Sequence, residues 1–333
     1  MSFKVTCYGV RPNEVEFFHK LNKYGYELNL VEALLTDENI ETAKGSDALI
    51  LRANCKADGK NLRQFAEWGI KYVFTRTVGY NHIDLDVARE LGIAVAYVPF
   101  YSPNAIAELA VTLAMSLLRH VTYTVDRTSR LDFRVTPTMF SKELRNCKVG
   151  VIGTGKIGLT EARYFKGMGA TVYGYDVYQS DAAKEVVTFL ELDELLATCD
   201  IVSLHVPYFP GQNDKMVDAA FINKMMDGAI LINTARGELQ DNQAIVDAIK
   251  SGKLDGFAGD VLAEESKFFF KEFASFEDIP DPAVQEMVSL YPKVLLTPHI
   301  GSNTDEALSN MIETSYDNLN EILTKGTLTN SVL

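Results

Sequence analysis

Val149-Gly150-Val151-Ile152-Gly153-Thr154-Gly155-Lys156-Ile157-Gly158 decides how this chain is read: a short apolar strand runs into a GxGxxG turn. Among 22 glycines such a spacing is a weak signal by itself, so its context carries the weight. Leu159–Gly167 has the pattern of a helix. Thr171–Tyr175 has that of a second strand and leads to Asp176, 18 residues after Gly158. Strand, glycine turn, helix, strand and terminal acid are together the fingerprint of a dinucleotide-binding βαβ unit. Gly153 permits the tight turn, Gly155 leaves room for a pyrophosphate against the backbone, and Gly158 lets helix and strand pack closely. The helix N-terminus, with Lys156 and Ile157 in its first turn, offers free N–H groups and a positive dipole end to the phosphates. Asp176 accepts hydrogen bonds from the ribose hydroxyls and repels a 2′-phosphate, which selects NAD over NADP. The competing reading is a glycine-rich turn in an unrelated α/β fold.

Outward from this unit, strand-like and helix-like segments alternate almost throughout, the mark of α/β layers around parallel sheets. Toward the N-terminus, Lys4–Tyr8, Glu27–Val31, Ala48–Leu51, Tyr72–Thr75 and Ala94–Ala96 read as strands. Pro12–Lys23, Thr36–Lys44 and Asp84–Leu91 read as helices, the last stopped by Gly92. Ser102-Pro103-Asn104 opens an Ala/Leu-rich pattern from Ala105 to about Asp126, whose weak polar face predicts a helix buried on more than one side. Toward the C-terminus, Ile201–His205, Ala229–Asn233, Gly256–Gly259 and Val294–Thr297 read as strands, and Thr304–Leu323 as an amphipathic helix. Residues 267–290 break the pattern. There Phe268, Phe269, Phe270, Phe273 and Phe276 stand among acids with Pro280 and Pro282, an ordered surface excursion whose aromatics pack. A chain of 333 residues exceeds what one core usually accommodates, so two α/β domains are predicted.

Composition narrows the function. The net charge of −13 disfavours nucleic acid, which needs a basic face, and requires any anionic substrate to find a locally positive pocket. No apolar run reaches membrane-spanning length, and the N-terminus enters a strand directly instead of a signal sequence. Cys7, Cys55, Cys147 and Cys199 lie far apart without metal-ligand spacing, so no metal site is predicted and the cysteines read as reduced core residues of a cytoplasmic protein.

Three segments at predicted strand ends carry chemistry: Asn233-Thr234-Ala235-Arg236-Gly237, Gly259-Asp260-Val261 with Glu264 and Glu265 beyond it, and Thr297-Pro298-His299. Ligands of doubly wound sheets sit beyond the carboxyl ends of the strands, so the three segments converge on one crevice. Hydride delivery to a carbonyl carbon requires a proton at the oxygen, and a histidine supplies one near neutral pH. A carboxylate beside the imidazole fixes its tautomer, and an arginine clamps an acid's carboxylate bidentately. Taken singly, His299 is equally a satisfied strand-end residue and Glu265 a solvated acid.

The combination of these segments with the glycine turn resembles the D-2-hydroxyacid dehydrogenases. Val78-Gly79-Tyr80-Asn81-His82-Ile83-Asp84 and Tyr101-Ser102-Pro103-Asn104-Ala105-Ile106-Ala107-Glu108 extend the likeness into the first half, the latter being most similar to the D-lactate dehydrogenase branch. The resemblance implies a Rossmann NAD-binding domain at 101–299 inserted in a flavodoxin-like substrate domain at 1–100 and 300–333. It implies that Arg236, Glu265 and His299 are catalytic, that the N–H groups of Val78 and Gly79 bind the substrate carboxylate, and that Tyr101 lines the pocket. Thr234 and Asp260 would fall near the nicotinamide, and Val206 and Pro207 near the adenosine. Glu265 is preferred to Glu264 because the family's acid stands five residues after the aspartate. A homodimer through the long leading helix is also implied. His82 reads as structural, His205 as either packing or touching NAD, and His19 and His120 as surface or interface residues. Relatives that act as NAD-sensing scaffolds, and the formate and phosphoglycerate branches, are the competing classes.

Two departures from the D-lactate pattern bear on the substrate. Arg52 follows Ala48–Leu51 where D-lactate enzymes tend to carry tyrosine, and Ser302 stands near a position where they carry a bulky aromatic. A second positive group and more space suit a 2-oxo acid with a distal carboxylate, 2-oxoglutarate in particular. D-lactate or a branched 2-oxo acid is the alternative, with Arg52 merely pairing with Asp58 or Glu108.

Overall fold

The computed structural model describes residues 2–269 and 271–333, so Phe270 of the aromatic run lies outside the described residues. The chain divides into two compact units, one made of residues up to Ser102 together with Ser302–Leu333, the other of Pro103–Gly301.

In the first unit, β1 (Lys4–Tyr8), β2 (Glu27–Val31), β3 (Ala48–Leu51) and β4 (Tyr72–Thr75) form a parallel sheet in the order β2-β1-β3-β4. Every residue of β3 is buried, as expected of a strand covered on both faces. The predicted strand Ala94–Ala96 is only a pair of bridges, parallel from Ala94 to Tyr72 and antiparallel from Ala96 to Ser331. It nevertheless extends the order to the 2-1-3-4-5 of flavodoxin-like sheets. Helix Asp305–Lys325 returns to this unit, burying Leu308, Ile312, Tyr316 and Leu319 against Val5, Cys7, Phe18 and Phe74.

In the second unit, β5 (Lys148–Ile152), β6 (Thr171–Tyr175), β7 (Thr188–Phe189), β8 (Ile201–Leu204), β9 (Ala229–Asn233), β10 (Leu254–Gly259) and β11 (Val294–Leu296) form an all-parallel sheet. Its order is β11-β10-β9-β8-β5-β6-β7. The side toward which successive strands are added changes between β5 and β8, which is the topological switch point of a Rossmann sheet. The two predicted doubly wound sheets are therefore present.

Several helices differ from the sequence reading. Pro12–Lys23 is a 3-10 turn, Pro12–Glu14, followed by a short helix, Val15–Lys20. Thr36–Lys44 forms only the 3-10 turn Ile40–Ala43. The long helix is two, Pro103–Leu118 and Val121–Ser129, bent by 66° where His120 takes a left-handed φ of 50°. Among the described residues no single helix is long and apolar enough to cross a membrane. In the excursion, Phe268 and Phe269 are buried with Leu262, Ile279 and Val284, whereas Phe276 is exposed.

Candidate active site

The glycine turn leaves the carboxyl end of β5 and enters the helix Lys156–Gly167. A Cβ on Gly158 would stand 2.0 Å from the Gly153 carbonyl oxygen, so only glycine lets the helix start close to the strand. Gly153 has φ +92°, and a Cβ there would stand 2.7 Å from the His205 carbonyl carbon. Gly155 differs: its Cβ would meet nothing within 4 Å, although Gly155 is the N-cap of the helix and gives it no side-chain cap. Open space over uncapped helical N–H groups is what a pyrophosphate requires.

Asp176 stands just beyond β6. Its Oδ2 accepts from the Thr154 N–H at 2.6 Å and the Thr154 hydroxyl at 3.2 Å, and Oδ1 accepts from the Tyr178 N–H at 3.0 Å. The carboxylate thus fixes the glycine turn as well as offering its remaining lone pairs to a ribose. That first duty lies 22 residues away in sequence and was not foreseen. Val206 packs partly on the core beside β8, with Pro207 next to it. Thr234 is buried just after β9, and its hydroxyl has no hydrogen-bond partner. An orphaned buried hydroxyl at a strand end suits a bound group that supplies the missing partner. These features fit NAD.

The candidate acid–base residues come from three neighbouring strands, because Asn233 of β9 and Leu296 of β11 both pair with Gly259 of β10. Their carboxyl ends therefore lie side by side. After β9, the buried Asn233 side chain accepts from the Ala235 N–H and donates to the Arg236 carbonyl and Gln240 Oε1. This amide fixes the turn that presents the exposed Arg236. A Cβ on Gly237 would stand 2.0 Å from the Leu262 carbonyl carbon, so the Arg236 turn lies flat against the segment leading to Glu265.

After β11, His299 takes a left-handed φ of 54°, unusual for a non-glycine residue. Its N–H donates to the carbonyls of Asp260 and Thr297. The buried Asp260 carboxylate accepts from the Thr297 hydroxyl and from the N–H groups of Ile300 and Gly301, which locks the residues on both sides of His299. Burial pushes the Asp260 carboxyl up, and those hydrogen bonds oppose the shift. His299 Nδ1 lies 3.0 and 2.9 Å from the two oxygens of Glu265. A carboxylate accepts, so Nδ1 carries the proton facing Glu265 and Nε2 faces away, free for chemistry. Glu264 turns outward to Lys267, its carboxylate 2.7 Å from the ammonium, which separates its role from that of Glu265.

In the first unit, Arg11, Arg52 and Arg76 follow β1, β3 and β4, three adjacent strands, and all three line one cavity. Ser302, Asn303 and Asp305 complete its rim. Arg76 is buried, donating to the Gly9 carbonyl at 2.8 Å and to Glu14 at 2.7 Å. Arg11 donates to Asn303 at 2.9 Å and lies 3.8 Å from Glu14. Burial, with the like charges of Arg11 and Arg76, pulls Arg52 down to about 10, while Glu14 opposes this. Asp58 caps the helix Gly59–Glu67 and lies 3.5 Å from Lys56, and Glu108 accepts from the Tyr164 hydroxyl. Sequence reasoning missed Arg11 and Arg76 because only the strand order brings them to Arg52.

The backbone N–H groups of Val78 and Gly79 have no partner among the described residues, while the Gly79 carbonyl accepts from the Thr77 hydroxyl at 2.8 Å. The Tyr101 carbonyl accepts from the Asn310 amide. His205 turns its ring inward, 1% exposed, onto Glu161.

A family model described as D-isomer specific 2-hydroxyacid dehydrogenase, NAD binding domain, matches residues 111–301. An aromatic 2-oxoacid reductase of Clostridium sporogenes is 39% identical over 98% of each chain. The structure is similar to that of a D-lactate dehydrogenase from Treponema pallidum, with a TM-score of 0.90 and 33% identity over 99% of each chain. It is also similar to the NAD-complexed form of a D-isomer specific 2-hydroxyacid dehydrogenase from Lactobacillus delbrueckii ssp. bulgaricus. That match has a TM-score of 0.87 and 32% identity over 99% of this chain and 100% of the other.

Proposed function

The chain belongs to the D-isomer specific 2-hydroxyacid dehydrogenase family, and from that premise we propose that it interconverts a 2-oxo dicarboxylic acid and its D-2-hydroxy form, 2-oxoglutarate and (R)-2-hydroxyglutarate being the preferred pair. It is an NAD-dependent oxidoreductase acting on a CH–OH group. NADH, when bound, supplies the hydride that reduces C2 of the oxo acid. His299 delivers the proton to the carbonyl oxygen from Nε2, and Glu265 at Nδ1 holds the ring in the required orientation and stabilises its charged form. Arg236 clamps the 2-oxo acid's carboxylate and polarises the carbonyl, a duty that its planar fork suits better than a lysine would. The unpartnered N–H groups of Val78 and Gly79 serve the same carboxylate, and Tyr101 borders the substrate. Thr234 and Asp260 stand at the nicotinamide end of the cofactor; Val206 and Pro207 stand at the adenosine end. The protein acts as a homodimer.

One observation carries the choice of acid: Arg11, Arg52 and Arg76 line a single cavity whose only acids are Glu14 and Asp305. In a chain of net charge −13 that concentration of positive charge is built for an anion. Ser302 on the rim leaves room where a bulky aromatic would not. An aromatic or methyl side chain in the same place offers the three arginines no anion to bind, a basis for discrimination.

A panel of 2-oxo acids with NADH tests the proposal. We expect kcat/KM for 2-oxoglutarate to exceed that for pyruvate and phenylpyruvate by at least tenfold, and Arg52→Ala to lower it by about 100-fold, or roughly 3 kcal/mol, while changing pyruvate reduction little. Equal losses on both substrates would remove the distal-carboxylate assignment. A preference for phenylpyruvate in the unaltered enzyme would transfer the reading to an aromatic 2-oxo acid, as in the 39%-identical relative.

A further inference from the structure

Beneath the glycine turn lies a buried polar pair for which the reaction has no use. Glu161 sits one turn into the helix Lys156–Gly167, three residues after Gly158, and is 0% exposed. Its Oε2 lies 2.6 Å from Nε2 of His205, the residue that follows β8. Ser203 Oγ lies 3.2 Å from the same nitrogen. A carboxylate only accepts, so Nε2 carries a proton, and the serine hydroxyl oxygen is a second, weaker acceptor for it. The other carboxylate oxygen, Oε1, is buried without any partner. Half of a buried carboxylate is thus left unsatisfied, an arrangement that an apolar pair of the same volume would avoid. Packing alone does not explain it.

The placement of the pair does. β5 and β8 are neighbours at the switch point of the sheet, and the cofactor crevice opens between the segments that leave them. One wall is the glycine turn and the start of its helix; the other is His205 with Val206 and Pro207. The His205 backbone is the surface on which Gly153 rests, and the His205 N–H donates to the Ile152 carbonyl at 2.7 Å. Glu161 and His205 therefore tie the two walls together from below. Charge matters as much as geometry here. The Nε2–H group of His205 is the donor that the buried Glu161 carboxylate has at Oε2, while Oε1 has none. Without His205 the same site holds a bare carboxylate about one helical turn behind the N–H groups that receive the phosphates.

We propose that His205 is a positioning residue for NAD: its contact with Glu161 holds the strand end against the glycine turn and keeps that carboxylate from opposing the dinucleotide's phosphates. Nothing in this depends on which 2-oxo acid the enzyme prefers.

The test is made on the protein with three variants, His205→Leu, Glu161→Gln and the double substitution. NADH affinity is followed by fluorescence titration, kcat at saturating NADH with 2-oxoglutarate and with pyruvate, and Tm without ligand. His205→Leu removes the donor and leaves both carboxylate oxygens unsatisfied, and the NADH Kd rises tenfold or more while kcat at saturation stays within twofold. Glu161→Gln removes the charge and keeps the shape, and Kd stays within threefold. The double variant returns Kd to within threefold of the unaltered protein. Equal effects of the two single substitutions, or a fall in Tm with Kd unchanged, would reduce the pair to packing and overturn the proposal. A collapse of kcat at saturating NADH would overturn it too, by moving His205 into the chemistry. Should His205→Leu not fold, Glu161→Asp draws the carboxylate back from Nε2 by one methylene. A Kd raised fivefold or more supports the proposal, and an unchanged Kd ends it.

Discussion

His82 shows how far a single buried side chain shapes the behaviour of the enzyme without touching its chemistry. It stands in the segment that also holds Val78 and Gly79, yet its Nε2 is buried with no hydrogen-bond partner. Burial pulls its pKa from 6.5 to about 4. The folded protein therefore keeps the ring neutral where the unfolded chain would protonate it. Between those two values the unfolded state binds more protons, so stability is complete above pH 6.5 and is lost as pH falls toward 4. A shift of that size corresponds to about 3 kcal/mol across the window. Thermal melts from pH 7 to pH 4 should show this loss in the unaltered protein. His82→Leu, which has no proton to gain, should flatten the slope by about that amount. An unchanged slope in the variant would place the acid sensitivity elsewhere. By contrast, the imidazole of His299 has a carboxylate at Nδ1 and an open Nε2, the arrangement expected of a working acid.

At the level of the element, the glycine turn separates two requirements that the GxGxxG pattern merges. Gly158 is needed by the protein itself, since a methyl group there would overlap the Gly153 carbonyl. Gly158→Ala should cost about 1–3 kcal/mol of stability and weaken NADH binding with it. Gly155 has open space around it, so Gly155→Ala should leave Tm nearly unchanged and raise the NADH Kd by roughly tenfold or more, about 1.4 kcal/mol. Matching losses of Tm in both variants would refute this division. The pattern was legible because strand, turn and acid are local. β1 to β6 and β9 carry in their sequences the apolar runs that bound them, and the structure returns the same limits. Helices were harder to read. Thr36–Lys44 has a helical pattern, but Asn39 accepts from the Thr36 N–H and donates to the Leu34 carbonyl, and the Thr36 hydroxyl accepts from Glu38. Such local bonds compete with the helix ladder. Nothing in the sequence marks His120 as left-handed, so the bend between Leu118 and Val121 could not be foreseen. The arginine cavity and the Glu161–His205 pair were legible only in part or not at all, because strand order and helix packing bring together residues distant in sequence.

At the level of the whole molecule, the stretch that follows that bend is a surface that the reaction does not explain. Leu131, Phe133 and Val135 are 84%, 75% and 76% exposed, and Val121, Val125 and Phe140 are exposed beside them in sequence. The residues between carry charge and hold the segment in place: Asp132 is bridged to both Arg127 and Arg134. Alternation of apolar and charged residues thus presents an apolar row to solvent on a backbone already fixed, so little ordering cost opposes association. A second copy of the chain is the occupant the homodimer proposal calls for. Two copies each carrying a net charge of −13 repel one another, so apolar burial has to drive the contact. Added salt screens that repulsion and should tighten the dimer, the reverse of what a salt-bridged interface would do. Replacing both Leu131 and Phe133 by aspartate removes two anchors of about 1.5–3 kcal/mol each and should raise the dimer Kd by roughly 10²–10⁴-fold. Sedimentation velocity at micromolar protein, in low and in high salt, reads both effects. A dimer indifferent to the double substitution would mean that the copies meet through another surface, and a monomeric unaltered protein would leave this apolar row to a different partner.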